Sequence, residues 1–205
     1  MATQVEHVSE ATPGASPSGR VILHGVPWER YDALVQLLGD EYPGLRLTYL
    51  EGTLEIMTTS PEHERWKKTI ARLIEMWAIE RDVKLNGYGA ATFRNRAKER
   101  GLEPDECYVL GELVDVPDVA IEVVRTHGGI DKLEVYAGLG VPEVWFWEDG
   151  SLVVYRLAGQ TYERQERSSI LPELDLPQLA SFVTIPDQTD AVRAYRDALR
   201  RTSGL

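Results

Sequence analysis

The apolar run VAIEVV at residues 119–124 constrains the fold of this chain more than any other segment. Short, continuous apolar runs that are rich in β-branched residues are typical of buried strands. Glu122 interrupts the run, and a carboxylate inside a buried strand needs a metal ion, a proton or a charged partner. The run therefore predicts a central strand that carries either a functional or a paired carboxylate.

The segments around this run alternate between helix and strand signals. Ser60-Pro61 is a favourable helix start, because serine caps a helix and proline suits its first turn. That helix is predicted to end near Glu80, and further helices are predicted at 28–38, 130–137 and 190–201, with a proline-interrupted apolar segment at 174–183. Strands are predicted at 45–50, 53–57, 83–88, 91–95, 105–110, 118–124, 143–147, 152–157 and 161–166. This order predicts a mixed α/β domain around one largely antiparallel or mixed sheet.

Composition and length limit the class of protein and its partners. A chain of 205 residues fits one domain, which we place at residues 21–205, after a small, polar lead at 1–20 that we expect to be disordered. The net charge of −11 argues against a surface adapted to non-specific nucleic-acid binding, although it leaves room for a local basic groove. The single Cys107 cannot form an internal disulfide, and no apolar run approaches the roughly 20 residues of a membrane span. We therefore expect a cytoplasmic protein with no membrane partner.

Asp118 and Glu122 form the most obvious carboxylate pair, but their spacing excludes a shared metal ion. A strand rises about 3.3 Å per residue, which separates their Cα atoms by roughly 13 Å, whereas Mg²⁺ binds oxygen at about 2.1 Å. Asp105 is the better partner. If the strands on either side of the 111–116 loop pair symmetrically, Asp105 lies opposite Glu122, with Cβ atoms about 5 Å apart. Two carboxylates at that distance indicate a cation; the alternative is a solvated strand-end aspartate and a salt-bridged glutamate.

Lys132 follows the Gly128-Gly129 turn, at the start of a helix that should fold back towards Glu122. A lysine there can orient an attacking water and stabilise charge that develops on a phosphoryl group. The alternative is a solvent-facing lysine in the first helical turn, which the helix dipole disfavours.

The helix that starts at Ser60-Pro61 offers two more candidates. Glu62 lies four residues before Trp66, so we place it on the buried stripe of this helix as a third metal ligand. His63 lies at the edge of that stripe, either as a supporting residue or as a capping or hydrogen-bonded histidine. Asp, Glu and Lys side chains without clustered His or Cys favour Mg²⁺ or Mn²⁺ over zinc.

Basic residues are concentrated immediately before Asp105. Arg94, Arg96, Lys98 and Arg100 alternate along this segment. They are either contacts to substrate phosphates or a solvated loop.

The segments EPDECYVL, PDVAIEVV and DKLEVYAGLGVPEVWFW closely resemble the Uma-type restriction-endonuclease family, a branch of the PD-(D/E)XK nuclease superfamily. The resemblance extends from about residue 38 to residue 182. It implies an α/β fold of the α+β type, with a restriction-endonuclease-like core in which helices flank a central mixed sheet.

The resemblance also assigns site residues. Asp105 and Glu122 match the acidic metal-binding pair, and Glu62 matches an acidic residue that some members carry on the first core helix. The lysine of the usual motif would stand two residues after Glu122, where this chain has Val124. Lys132, with Tyr136 one turn later as a supporting residue, matches a lysine relocated to the following helix.

The function that the resemblance implies is hydrolysis of DNA phosphodiester bonds with Mg²⁺ or Mn²⁺ held by Asp105 and Glu122. A second hypothesis is a catalytically inactive binding or assembly module with the same fold, which Val124 and the acidic net charge favour. A homodimer is expected because cleavage of both strands needs two sites. Trp145, Trp147 and Tyr155 belong either to that dimer surface or to the core.

Overall fold

This computed structural model describes residues 4–9, 19–38, 42, 44–113, 115–124 and 129–202, of which 4–9 and 202 are described by their backbone alone. The helices are α1 (Trp28–Leu38), α2 (Pro61–Glu80), α3 (Lys132–Leu139), α4 (Leu176–Val183) and α5 (Gln188–Thr202). The strands are β1 (Gln4–Ser9), β2 (Gly19–His24), β3 (Leu45–Leu50), β4 (Thr53–Thr58), β5 (Asn86–Gly87), β6 (Phe93–Asn95), β7 (Arg100–Leu102), β8 (Glu106–Val109), β9 (Val119–Val123), β10 (Glu143–Glu148), β11 (Ser151–Ala158) and β12 (Thr161–Gln165).

The described strands form two sheets of six strands each. The first has the order β1-β2-β4-β3-β7-β6, and every pairing in it is antiparallel. The second has the order β12-β11-β10-β9-β8-β5 and is mixed, because β9 and β10 run parallel. A parallel pair needs a crossover connection, and α3 lies on the connection between β9 and β10.

Helices cover both faces of the mixed sheet around β9. On one face, α2 buries Ile70, Leu73 and Trp77 in a core that it shares with β9, β10, α4 and α5. On the other face, α3 buries Val135 and Tyr136 against Ala120 and Val144. All five residues of β9 are consequently buried, which confirms the prediction from the apolar run and fixes Glu122 in the interior.

The ends of α2 and α3 follow from their capping residues. The Ser60 side chain accepts a hydrogen bond from the His63 backbone N–H, and Pro61 occupies the first helical turn. The Asp131 side chain accepts a hydrogen bond from the Leu133 N–H, so α3 begins at Lys132. The two caps set where each helix begins, and so place His63 in the first turn of α2 and Lys132 at the first position of α3.

The predicted mixed sheet between helices is confirmed, but the prediction of a single sheet was incomplete. The hairpin of β3 and β4 belongs to a separate sheet, since it pairs with β2 and β7 rather than with the central strands. The strands predicted at 83–88 and 91–95 are shorter, at Asn86–Gly87 and Phe93–Asn95. Pairing partners far apart in sequence leave no local signal, so a pattern of short strands does not divide them between sheets.

The lead at residues 1–20 was expected to be disordered, but two parts of it form strands: Gln4–Ser9 is β1, and β2 begins at Gly19. Residues Gln4–Ser9 pair with Gly19–His24 in antiparallel register. A strand edge has unpaired N–H and C=O groups, which a polar segment can satisfy through its backbone alone. The remaining lead residues, 1–3 and 10–18, lie outside the described residues. The same is true of residues 125–128, which include Gly128 of the predicted turn.

Within the described ranges, no helix is both long enough and apolar enough to cross a bilayer.

Candidate active site

A cavity of about 350 Å³ lies between the two sheets, next to the buried strand β9. The first sheet contributes β2 and β4 to its walls, the mixed sheet contributes β9, β10 and β11, and the first turns of α2 and α3 complete it. Ionisable side chains from these elements line it, including Glu55, His63, Glu122 and Lys132. The chemistry of the cavity depends on how these side chains are paired.

Asp105 and Glu122 lie opposite each other at one end of the β8–β9 hairpin. Glu106 pairs with Ile121 and Tyr108 with Val119, and the next position of the same register places Asp105 opposite Glu122. The two residues are only 3% and 1% exposed. The symmetric pairing predicted from the loop is therefore confirmed.

Asp118, the excluded partner, lies at the other end of the same hairpin. Its Oδ2 accepts a hydrogen bond from the Leu110 N–H at 2.8 Å. Asp118 therefore closes the hairpin loop and is not a lining residue of the cavity, in agreement with the argument from strand rise.

Glu122 is held from one side by α3. Lys132 Nζ lies 2.5 Å from Glu122 Oε2, and the Tyr136 hydroxyl donates a hydrogen bond to Oε1 at 2.6 Å. Residues four apart share a helix face, so a single helix supplies both partners. The sequence-predicted Lys132 and Tyr136 are thus brought together with Glu122.

Asp105 is held by α2 and by β9 itself. Its Oδ2 lies 2.9 Å from His63 Nε2 and accepts a hydrogen bond from the Val123 N–H at 2.8 Å. His63 is only 4% exposed, and its Nδ1 lies 3.5 Å from Glu64 Oε1. The predicted supporting role of His63 therefore has a specific contact in the structure.

The charges of this group are close to balanced in the absence of a metal ion. Burial by itself raises the pKa of Asp105, but the hydrogen bond from His63 and the charge of Lys132 outweigh burial and lower it. Burial and the charge of Asp105 raise the pKa of Glu122 against the opposing effect of Lys132. Burial lowers the pKa of Lys132, but Glu122 and Asp105 more than reverse that effect, so the lysine carries its charge.

His63 supplies the second positive charge. Burial lowers the pKa of its imidazole, but the hydrogen bond to Asp105 and the ion pair with Glu64 prevail and raise that pKa to about 9. The contact with His63 in turn lowers the pKa of Glu64 to about 2. At neutral pH the imidazolium donates to Asp105, and two cations face two buried carboxylates.

The oxygen donors of Asp105 and Glu122 fit a hard divalent ion. Mg²⁺ is commonly bound through one or two carboxylates, with water and substrate phosphate completing its octahedron. Among the described residues, no cluster of three or more Asp, Glu, His or Cys side chains is arranged to hold a metal ion. Burial, together with the charge of Asp105, raises the pKa of Glu122, and a cation beside the pair would favour its ionised form.

Glu62 does not take the position predicted for it. Its side chain is exposed, and the inward position belongs to His63. The prediction took Trp66 as the centre of the buried stripe, but Trp66 is only partly buried. His63 lies seven residues before Ile70, a spacing of nearly two helical turns, and this spacing is the signal that could have identified it.

The alternating basic segment is not brought to the cavity. Arg94 pairs with Asp32, and Arg96 pairs with Glu29. Arg100 pairs with Glu51 and Glu134, and it lines a separate cleft together with Lys98. Contact of these four residues with phosphate stays a prediction, and the carboxylate partners of the three arginines oppose it.

No sequence pattern singles out Glu55. This β4 residue is 4% exposed and lines the cavity from the first sheet. In the sequence it is one polar position in an ordinary alternating hairpin strand, a pattern that is typical of solvent-facing side chains.

The pairing of His63 predicts a loss of stability at alkaline pH. Because its folded pKa, about 9, exceeds the ordinary value of 6.5, the stabilisation is fully present below about pH 6.5 and is lost as the pH rises through 9. We expect the free energy of unfolding to fall by about 3 kcal/mol across that window, as measured by urea denaturation. The His63→Gln variant should lack this component, whereas His24→Gln, which alters an exposed histidine, should retain it. Parallel curves for wild type and His63→Gln would contradict the assignment.

Comparison with known proteins identifies the family of this chain. The family model Uma2, described as "Putative restriction endonuclease", matches residues 28–186, a range that includes Glu55, His63, Asp105, Glu122 and Lys132. No curated protein matches the chain. Because the match covers well over half of the chain, and the fold is that of the restriction-endonuclease-like PD-(D/E)XK superfamily, the chain belongs to the Uma2 family of that superfamily.

Proposed function

We propose that this protein is a metal-dependent DNA endonuclease that hydrolyses phosphodiester bonds. The observation that carries the proposal is the buried pair Asp105 and Glu122 on neighbouring strands, with Lys132 in contact with Glu122 at the wall of a cavity. Two carboxylates can hold a divalent ion, and a lysine can stabilise negative charge on a phosphoryl oxygen. Membership of a family of restriction endonucleases supports DNA as the substrate.

Each residue of the site has a distinct task in this mechanism. Asp105 and Glu122 would hold Mg²⁺ or Mn²⁺, which supplies Lewis acidity and a water of lowered pKa when bound. Tyr136 and His63 hold the two carboxylates in place through hydrogen bonds to Glu122 Oε1 and Asp105 Oδ2. Lys132 carries its proton at neutral pH, so its ammonium group orients the attacking water and stabilises negative charge on the phosphoryl oxygens.

A second candidate function is a catalytically inactive module that uses the same fold for binding or assembly. The observation that favours it is the existing pairing of both carboxylates: Lys132 and Tyr136 contact Glu122, and His63 contacts Asp105. A site that is already balanced has no electrostatic need for a metal ion. Val124, in the usual position of the motif lysine, is consistent with the same reading.

Cleavage of plasmid DNA with Mg²⁺ or Mn²⁺ tests the first candidate. We expect Glu122→Gln to reduce the cleavage rate by at least about a hundredfold, because it removes a charged ligand but keeps the shape of the side chain. Asp118→Asn is the matched control, since it changes a carboxylate at the other end of the same hairpin and keeps an acceptor for the Leu110 N–H. Equal rates for wild type and Glu122→Gln would reject the assignment.

Thermal unfolding with and without Mg²⁺ separates the two candidates without an activity assay. At ten times the dissociation constant, a bound ion stabilises the folded state by about 1.4 kcal/mol, which corresponds to a Tm increase of about 3–5 °C. Asp105→Asn should abolish the increase, and Asp118→Asn should preserve it. An unchanged wild-type Tm at 10 mM Mg²⁺ or Mn²⁺, together with absent cleavage, would favour the inactive module.

We also propose that the protein acts as a homodimer, because one site per chain cuts one strand at a time. Trp145 and Trp147 are 0% and 3% exposed, so they belong to the core and not to a dimer surface. Tyr155 is partly buried at the wall of the cavity. Sedimentation at micromolar concentration should give twice the 23.1 kDa mass of the chain, and a monomer mass would refute the dimer.

A further inference from the structure

The buried carboxylate of Glu55 faces the candidate site from the opposite sheet. Glu55 lies in β4, opposite Ile22 of β2 and Thr48 of β3, and it is 4% exposed. It lines the cavity that Glu122 and Lys132 line from the other side. Burial of a charged group at this depth requires specific partners.

The partners of Glu55 connect the first sheet to the segment that leads into α3. Its Oε2 accepts a hydrogen bond from the Ile130 N–H at 3.2 Å and lies 3.7 Å from Arg20 Nε. Ile130 directly precedes Asp131, the residue that caps α3, and Lys132 follows. The carboxylate therefore holds the backbone two residues before the candidate catalytic lysine.

The backbone at Gly129 is adapted to this contact. Its φ of +97° lies in the region that L side chains rarely adopt, and a Cβ atom added there would lie only 1.9 Å from Glu55 Oε2. Any other residue at position 129 would need a strained backbone and would displace the Glu55 carboxylate. Glycine therefore leaves room for the hydrogen bond between Glu55 and the Ile130 N–H.

We propose that Glu55 is a positioning residue, which anchors the 129–131 segment and thereby sets Lys132 against Glu122. The anchoring is a property of the fold, and its consequence for cleavage rests on the nuclease function proposed above. The competing interpretation is that Glu55 only forms a structural ion pair with Arg20 and has no influence on Lys132.

Amide hydrogen exchange tests the anchor directly. We expect Glu55→Ala to accelerate exchange of the Ile130 amide by about ten- to a hundredfold, the effect of losing a hydrogen bond to a charged acceptor. Glu55→Gln, which retains an acceptor oxygen, should retain most of the protection. Glu148→Gln is the matched control, because it removes a negative charge from the same cavity without changing the contact to Ile130. Wild-type exchange at Ile130 in Glu55→Ala would overturn the proposal.

A double-mutant cycle tests the influence on Lys132 and needs no enzymatic activity. Tm is measured for wild type, Glu55→Gln, Lys132→Arg and the double variant. Both substitutions keep the side chain close to its original size. We expect the effects on Tm to deviate from additivity by at least about 2 °C, since residues that share one network are coupled. Additive effects would show that Glu55 is independent of Lys132, and the positioning role would be rejected even if the anchor were present.

Kinetics complete the test in the active protein. Glu55→Ala should lower kcat for DNA cleavage by about tenfold and leave KM within about twofold, and Glu55→Gln should restore most of kcat. A fall confined to KM would contradict positioning of Lys132. If the wild type cleaves no DNA with Mg²⁺ or Mn²⁺, the nuclease proposal fails. Amide hydrogen exchange at Ile130 and the double-mutant cycle on Tm still decide the role of Glu55.

Discussion

The structure depends on the burial of two carboxylates side by side in the core of the mixed sheet. Asp105 and Glu122 are almost wholly removed from solvent, and like charges on opposed strand positions repel. Such a pair is tolerated only if cations reach it with good geometry, because an unpaired buried charge costs several kcal/mol. The elements around β9 meet this requirement: α3 supplies Lys132 and α2 supplies His63.

Both cations lie at or near the start of a helix, where the helix dipole disfavours positive charge. Local sequence preferences therefore oppose Lys132 and His63 at these positions, and the buried carboxylates offset that cost. Together the four side chains join two helices to the β8–β9 hairpin. Within this group of four side chains, the charges of Lys132 and His63 oppose those of Asp105 and Glu122.

The cation beside Glu122 comes from a helix and not from the strand that carries the carboxylate. Two residues after Glu122, the backbone carries Val124, whose N–H bonds to the Trp147 carbonyl at 3.0 Å and continues the sheet. The ammonium group comes instead from α3, ten residues after Glu122, and contacts Glu122 itself. What the proposed chemistry needs is a cation beside the acidic pair, and the short crossover helix provides it from another part of the backbone.

The sequence by itself determined the central hairpin, because strand rise and pairing across a short loop are local geometric rules. Those rules rejected Asp118 and placed Asp105 opposite Glu122. The helix signal after the Gly128-Gly129 turn located Lys132 at a helix start. The sequence did not determine whether Glu62 or His63 faces inward. Neighbouring helix positions differ by about 100° around the axis, and the packing of α2 on the mixed sheet decides which side chain is buried. Nor did the sequence determine the second sheet or the place of Glu55. Contacts between Glu55 and Ile130 join segments 75 residues apart, and only the packing of one sheet against the other brings them together.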